Sequence, residues 1–155
     1  MTSRGIIRDA HISDMPACAA ILNGWIDDTS WMPRVHDHEN VERYYRDVVF
    51  QERQVKVADL DGRVCAFLAL SDDACITALY ADRDYRRAGF GKKLIDTAKA
   101  IFPERLDLWT FVENRGAQQF YRREMFTEVR RTDGDNEESL PDILFRWTCS
   151  SELPS

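Results

Sequence analysis

The feature that most constrains this chain is a strand-like run that passes through two closely spaced glycines directly into an amphipathic helix, and from there into a second strand. The segment reads Leu79-Tyr80-Ala81-Asp82-Arg83-Asp84-Tyr85-Arg86-Arg87-Ala88-Gly89-Phe90-Gly91-Lys92-Lys93-Leu94. Leu94, Ile95, Ala98, Ile101 and Phe102 then recur at helical spacing up to Pro103, which helps to stop the helix, and a strand follows over 106–112. A strand, helix, strand unit of this length makes a right-handed crossover, so residues 74–112 are expected to supply one parallel strand pair. The glycine turn has a chemical consequence as well. Backbone N–H groups left unpaired at a helix start converge where the helix dipole is positive, and glycine lets a phosphate approach them closely. Arg86, Arg87, Lys92 and Lys93 add cations around that point.

The rest of the chain places this unit inside a larger sheet. Residues 4–8 form a first strand. Ser13 is the expected cap of a helix whose apolar face carries Cys18, Ile21, Leu22, Trp25 and Ile26, with Pro16 tolerated in the first turn. A second helix runs from Glu39 to Phe50, with Val41, Tyr44, Tyr45, Val48 and Val49 facing inward. Strands follow over 54–60 and 63–70, joined by Asp61-Gly62, a dipeptide suited to a tight hairpin, and a third run covers 74–81. Beyond the strand at 106–112 come a helix over 115–124 and two closing strands, 126–131 and 142–148, separated by the acidic loop Asp133 to Glu138. The order is β-α-α-β-β-β-α-β-α-β-β. This is a mixed α/β (α+β) chain, with a mainly antiparallel central sheet flanked by helices.

At 155 residues the expectation is one domain over 1–150 and a loose tail over 151–155. No apolar run approaches the roughly 20 residues needed to cross a bilayer, and the N-terminus lacks the apolar stretch of a secretory signal, so a cytoplasmic protein is expected. A formal net charge of −6 disfavours nucleic acid and makes a cationic substrate easier to accept. Cys18, Cys65, Cys75 and Cys149 are widely spaced among apolar neighbours and read as small core residues. His36-Asp37-His38 lies in a polar loop and reads as solvated, so no metal is expected. The glycine turn lacks the third glycine of a dinucleotide fingerprint, because position 94 is Leu, and it lacks the pattern of a P-loop.

Arg86-Arg87-Ala88-Gly89-Phe90-Gly91 resembles the R/Q-x-x-G-x-G/A signature of the GNAT superfamily of N-acetyltransferases at every position. Asn114-Arg115-Gly116-Ala117-Gln118-Gln119-Phe120-Tyr121 looks like the same family's N-x-x-A-x-x-F-Y segment, at the right distance downstream. The resemblance covers 74–130 closely, and most of the chain by element order. It implies acetyl-CoA as co-substrate, its pyrophosphate held by the backbone of Arg87, Ala88, Gly89, Phe90, Gly91 and Lys92 with Arg86 alongside. It also implies that a bulged, splayed strand at Leu79, Tyr80 and Ala81 pairs with the pantetheine arm, and that Tyr121 protonates the departing thiolate. Asn114 shares a helical face with Ala117 and Tyr121 and is placed on the pantetheine side of the cleft.

The other partner would be a primary amine, most simply of a small molecule. A protein or peptide amine and a non-catalytic acyl-CoA-binding module are the alternatives. Trp31, Arg34 and His36 are candidate acceptor contacts. Asp72, Asp73, Glu113, His36, His38 and Asp142 are candidate bases, with a water chain as the other route. A homodimer is expected by analogy alone. The family commonly has glycine where this chain has Met125, which puts the turn before the next strand in question.

Overall fold

A computed structural model describes residues 5–149. The expected start of the first strand at Arg4 and the tail over 151–155 lie outside the described residues. Among the described residues, seven strands form one sheet in the order β1-β2-β3-β4-β5-β7-β6. They are β1 (Ile6–Asp9), β2 (Gln54–Leu60), β3 (Arg63–Leu70), β4 (Cys75–Ala81), β5 (Arg105–Phe111), β6 (Thr127–Thr132) and β7 (Asp142–Thr148). All neighbours pair antiparallel except β4 and β5, the expected parallel pair.

The helices are α1 (Met15–Asp28), α2 (His38–Tyr44), α3 (Phe90–Ile101) and α4 (Arg115–Arg123). They cover both faces of the sheet. One face buries Met15, Cys18, Val41 and Tyr45 from α1 and the second helical segment against Val57 and Phe67. The other buries Leu94, Ile95 and Ala98 of α3 against Ala66, Leu68 and Leu106. Fully burying a Leu or Ile contributes roughly 1.5–3 kcal/mol, so these stripes fix the helices to the sheet.

Three local expectations are corrected. Ser13 does not cap α1: residues Ile12–Asp14 form a short 3-10 turn, Asp14 stands at the N-cap position of α1 without a side-chain cap bond, and its carboxylate closes the 3-10 turn instead. It accepts from the His11 amide at 2.7 Å and from Arg8 at 2.8 Å, and the Arg8 guanidinium holds this carboxyl below the usual range. The second helix does not run regularly to Phe50. It changes at Tyr45–Val49 to π-helical geometry and ends in the turn Phe50–Glu52. Val41, Tyr45 and Val49 are buried at steps of four while Tyr44 is 49% exposed, and widening the helix keeps a four-residue stripe facing the core. The bulge of β4 also lies upstream of Leu79. Ala69 pairs with Ala78 and Leu70 with Ile76, leaving Thr77 as the extra residue.

Met125 resolves the question of the missing glycine. It adopts φ 76, its amide donates to the Arg122 carbonyl at 3.0 Å, and the Phe126 amide donates to Tyr121 at 2.9 Å. Together these two bonds close α4 in a Schellman turn with methionine in the left-handed position.

Candidate functional site

The parallel pair β4/β5 is short. Only Cys75 with Asp107 and Ile76 with Leu108 are in register, and beyond them the strands diverge. Between them opens a cleft of about 940 Å³ lined by Leu79, Tyr80 and Ala81 on one side, Trp109, Thr110 and Phe111 on the other, and Asn114, Ala117 and Tyr121 of α4. Leu79, Tyr80 and Ala81 pair with Leu68, Phe67 and Ala66 of β3, so their free edge faces the cleft. This is the splayed strand the sequence implied.

The glycine turn borders the cleft. Gly89 adopts φ +90 and Arg87 φ 69, backbone conformations that glycine accepts freely and arginine only at a cost. The first amide of α3 to reach a backbone carbonyl is that of Lys93, which donates to Gly89 at 3.2 Å. The amides of Gly89, Phe90, Gly91 and Lys92 donate to no described group, and Arg87, Gly89, Gly91 and Lys92 line the cleft. Four free N–H groups at a helix start fit a diphosphate. The two glycines act differently. Gly89 supplies the left-handed turn, whereas a Cβ at Gly91 would meet the Phe120 ring at 3.2 Å. The Phe90 side chain is buried in the core, so only its backbone faces the turn. Arg86 donates to the Ala81 carbonyl at 3.3 Å, and Lys92 pairs with Glu124 at 3.4 Å and Asp96 at 3.5 Å.

Tyr121 occupies the middle. Its ring is packed between Phe120, Phe126 and Phe145, and only 9% of the residue is exposed. Burial raises its pKa well above that of a free phenol, with Tyr80 adding to the rise, so the hydroxyl stays protonated at neutral pH. That hydroxyl makes no hydrogen bond to another described residue, and Tyr121 lines the cleft. The helix that carries it is fixed at both ends. Asn114 caps it, accepting from the Ala117 amide at 3.2 Å, and Gln118 reaches back to the Phe111 and Val112 carbonyls at 3.1 and 2.8 Å.

The loop candidates take other places. Trp31 stacks edge-on against Trp25 and Phe111, both at 5.8 Å, and both of those rings line the cleft. Arg34 is held by Asn23, by the His36 carbonyl and by Asp27 at 2.9 to 3.2 Å, and so fastens the loop to α1. His36 pairs with Glu137 at 2.9 Å, joining the loop after α1 to the acidic loop between β6 and β7. None of the six candidate bases lines the cleft. His38 pairs with Asp27, Ser71 hydrogen-bonds Asp73, and Asp142 is buried. The Asp142 carboxylate accepts from Thr132 and, at 3.1 Å, from Asn136, which also bonds both polar groups of the Leu140 backbone. Asp142 therefore anchors the acidic loop.

Sequence reading missed Trp25 and Phe111 as cleft residues. Trp25 lies on the apolar face of α1 and reads there as core. Phe111 closes an ordinary alternating strand.

An open fork in a sheet, with an anion cradle at its mouth and a neutral phenol inside, is the arrangement of an acyl-CoA-dependent N-acyltransferase. Comparison with known proteins agrees: residues 20–125 match the model of the Acetyltransferase (GNAT) family, and the chain belongs to that family of acetyl-CoA-dependent enzymes. It is 27% identical to the peptidyl-lysine N-acetyltransferase YiaC of Escherichia coli K12, over 92% of this chain and 96% of that protein. Its fold is similar to apo YjaB from Escherichia coli, with a TM-score of 0.76, 23% identity, and coverage of 92% and 97% of the two chains. It is also similar to YncA from Salmonella typhimurium, solved with its cofactor acetyl-CoA, with a TM-score of 0.73, 18% identity, and coverage of 99% and 98%. No helix among the described residues is long and apolar enough to cross a membrane.

Proposed function

We propose that this enzyme transfers the acetyl group of acetyl-CoA to a primary amine of a small molecule, by direct attack of the amine nitrogen on the thioester carbonyl. The observation that carries this reading is the buried, neutral Tyr121 hydroxyl opening into a fork whose mouth is lined by free amides. In this reading the backbone from Arg87 to Lys92 grips the diphosphate and Arg86 flanks it. The free edge of Leu79, Tyr80 and Ala81 pairs with the pantetheine amides as a neighbouring strand would. Asn114 borders the same arm from the start of α4.

The amine nitrogen forms a bond to the carbonyl carbon and loses a proton to water at the cleft mouth. The carbon–sulfur bond then breaks, and the Tyr121 hydroxyl donates its proton to the departing sulfur. A small acceptor is favoured by the His36–Glu137 pair, which ties the loop after α1 to the acidic loop between β6 and β7.

Acetylation of a protein lysine is the second reading, favoured by the likeness to a peptidyl-lysine N-acetyltransferase. A thiol-release assay with acetyl-CoA against small amines, amino acids and lysine peptides separates the two. Turnover with small amines at catalytic enzyme concentration is expected; turnover confined to peptides would replace the small-molecule acceptor by a polypeptide, and none with any amine would remove the catalytic reading.

A further inference from the structure

Four rings from four parts of the chain meet beside the cleft. Trp25 lies 5.3 Å from Tyr80 and 5.8 Å from Trp31, and Trp31 lies 5.8 Å from Phe111. The Trp25/Trp31 and Trp31/Phe111 pairs meet edge to face, at interplanar angles of 82° and 71°, so the ring planes do not stack into one slab. Trp25, Tyr80 and Phe111 line the cleft, and all four residues are partly exposed.

The faces of aromatic rings attract cations, and elsewhere this protein uses them so. Arg or Lys groups stand over Tyr85, Phe90, Trp109, Phe126, Phe145 and Trp147. Among the described residues, no protein cation stands over any of the four cleft rings. Arg34, the cation nearest in sequence to Trp31, has its guanidinium spent on Asn23, Asp27 and the His36 carbonyl.

A carboxylate acts on one of these four residues. Glu138 is partly buried and makes no ion pair or hydrogen bond to another described residue. Burial pushes the Tyr80 hydroxyl up to about 12, and the charge of the Glu138 carboxylate adds to the push. The loop carrying Glu138 is held in place by Asp142 through Asn136 and by the His36–Glu137 pair.

We infer that the box of Trp25, Trp31, Tyr80 and Phe111 binds a cationic group of the acceptor, with the Glu138 charge in support, so that the acceptor carries two amines. One stays an ammonium among the rings, and the other reaches the thioester as the free base. This rests on the amine acetylation proposed above and names its acceptor class, an aliphatic diamine or a longer polyamine.

The test has a binding arm and a turnover arm. In the first, tetramethylammonium is titrated into the acetyl-CoA-loaded protein and tryptophan fluorescence is read, with 2,2-dimethylpropan-1-ol as a neutral molecule of similar shape. Saturable quenching by the cation alone is expected, weakened about tenfold in Trp31→Leu and in Glu138→Gln. Thermal melts of both variants confirm that they fold. Equal binding of the neutral molecule, or no saturation at millimolar cation, overturns the inference.

In the second arm, 1,5-diaminopentane is compared with pentylamine, and kcat/KM is expected to favour the diamine about tenfold. Turnover of both without preference sinks the cation box and leaves the acetyltransferase reading intact. Cation binding with no amine turned over does the reverse.

Discussion

Phe120 sits so close to Gly91 that a Cβ on the glycine would lie 3.2 Å from the Cζ atom of the ring. The contact presses the first turn of α3 against α4, and Tyr121 is the next residue along. Spacing between the anion cradle and the phenol is thereby set by one missing methyl group. Gly91→Val is expected to drive Phe120 outward, at an overpacking cost of about 1–3 kcal/mol, and to lower kcat/KM more than Gly91→Ala does. Thermal melts and steady-state kinetics on the two variants check the order; equal activity in both would show that the contact does not set the spacing.

Tyr121→Phe removes the hydroxyl and keeps the ring packing with Phe126 and Phe145. Turnover is expected to fall about 10²-fold or more, with acetyl-CoA affinity within twofold of the parent enzyme. The pH profile carries the same signature. Because the raised pKa keeps the phenol protonated, the parent enzyme should show no descending limb below about pH 10, and the rise at lower pH should follow deprotonation of the acceptor amine. A descending limb near neutrality would assign the acid to another group.

Met125 holds a left-handed conformation while 66% exposed, so its side chain contributes little burial to offset the backbone strain. Met125→Gly relieves that strain and loses some stability through the freer unfolded chain, for a net gain of about 0.5–1 kcal/mol. A rise in Tm with unchanged kinetics is the expected result. A fall would mean that the exposed side chain contributes contacts worth more than the strain.

These positions show where the sequence was legible. The bounds of β2, β3 and β7 coincide with the β-rich runs at 54–60, 63–70 and 142–148, because each strand's composition is local and its ends carry turn residues. The glycine turn and Tyr121 were legible for a similar reason, as both lie in contiguous segments with a fixed residue order. Tertiary decisions were not. Asp14 rather than Ser13 stands before α1 because Arg8, itself held to Asp59 across the β1/β2 pairing, bonds its carboxylate. The π-helical turn answers to a core stripe set by Phe67, whose ring meets Tyr45 edge-on at 5.6 Å. The ring box draws on α1, its following loop, β4 and β5, and no spacing within one segment announces it.

Asp142→Ala tests the anchoring of the acidic loop. Thr132 and Asn136 would lose their shared acceptor inside a buried site, at a cost of about 1–3 kcal/mol. KM for the amine is expected to rise several-fold while acetyl-CoA affinity stays unchanged, with Asp142→Asn falling between parent and alanine. Loss of donor affinity instead would place the effect on the whole cleft rather than on the loop.

The two-residue seam between β4 and β5 has a mechanical meaning. A sheet joined along its full length resists shear everywhere, whereas here every force between the β1–β4 half and the β5–β7–β6 half passes within the sheet through Cys75, Ile76, Asp107 and Leu108. The fork is a pair of tongs with its pivot at one end, and its grip stiffens when a molecule bridges the tips.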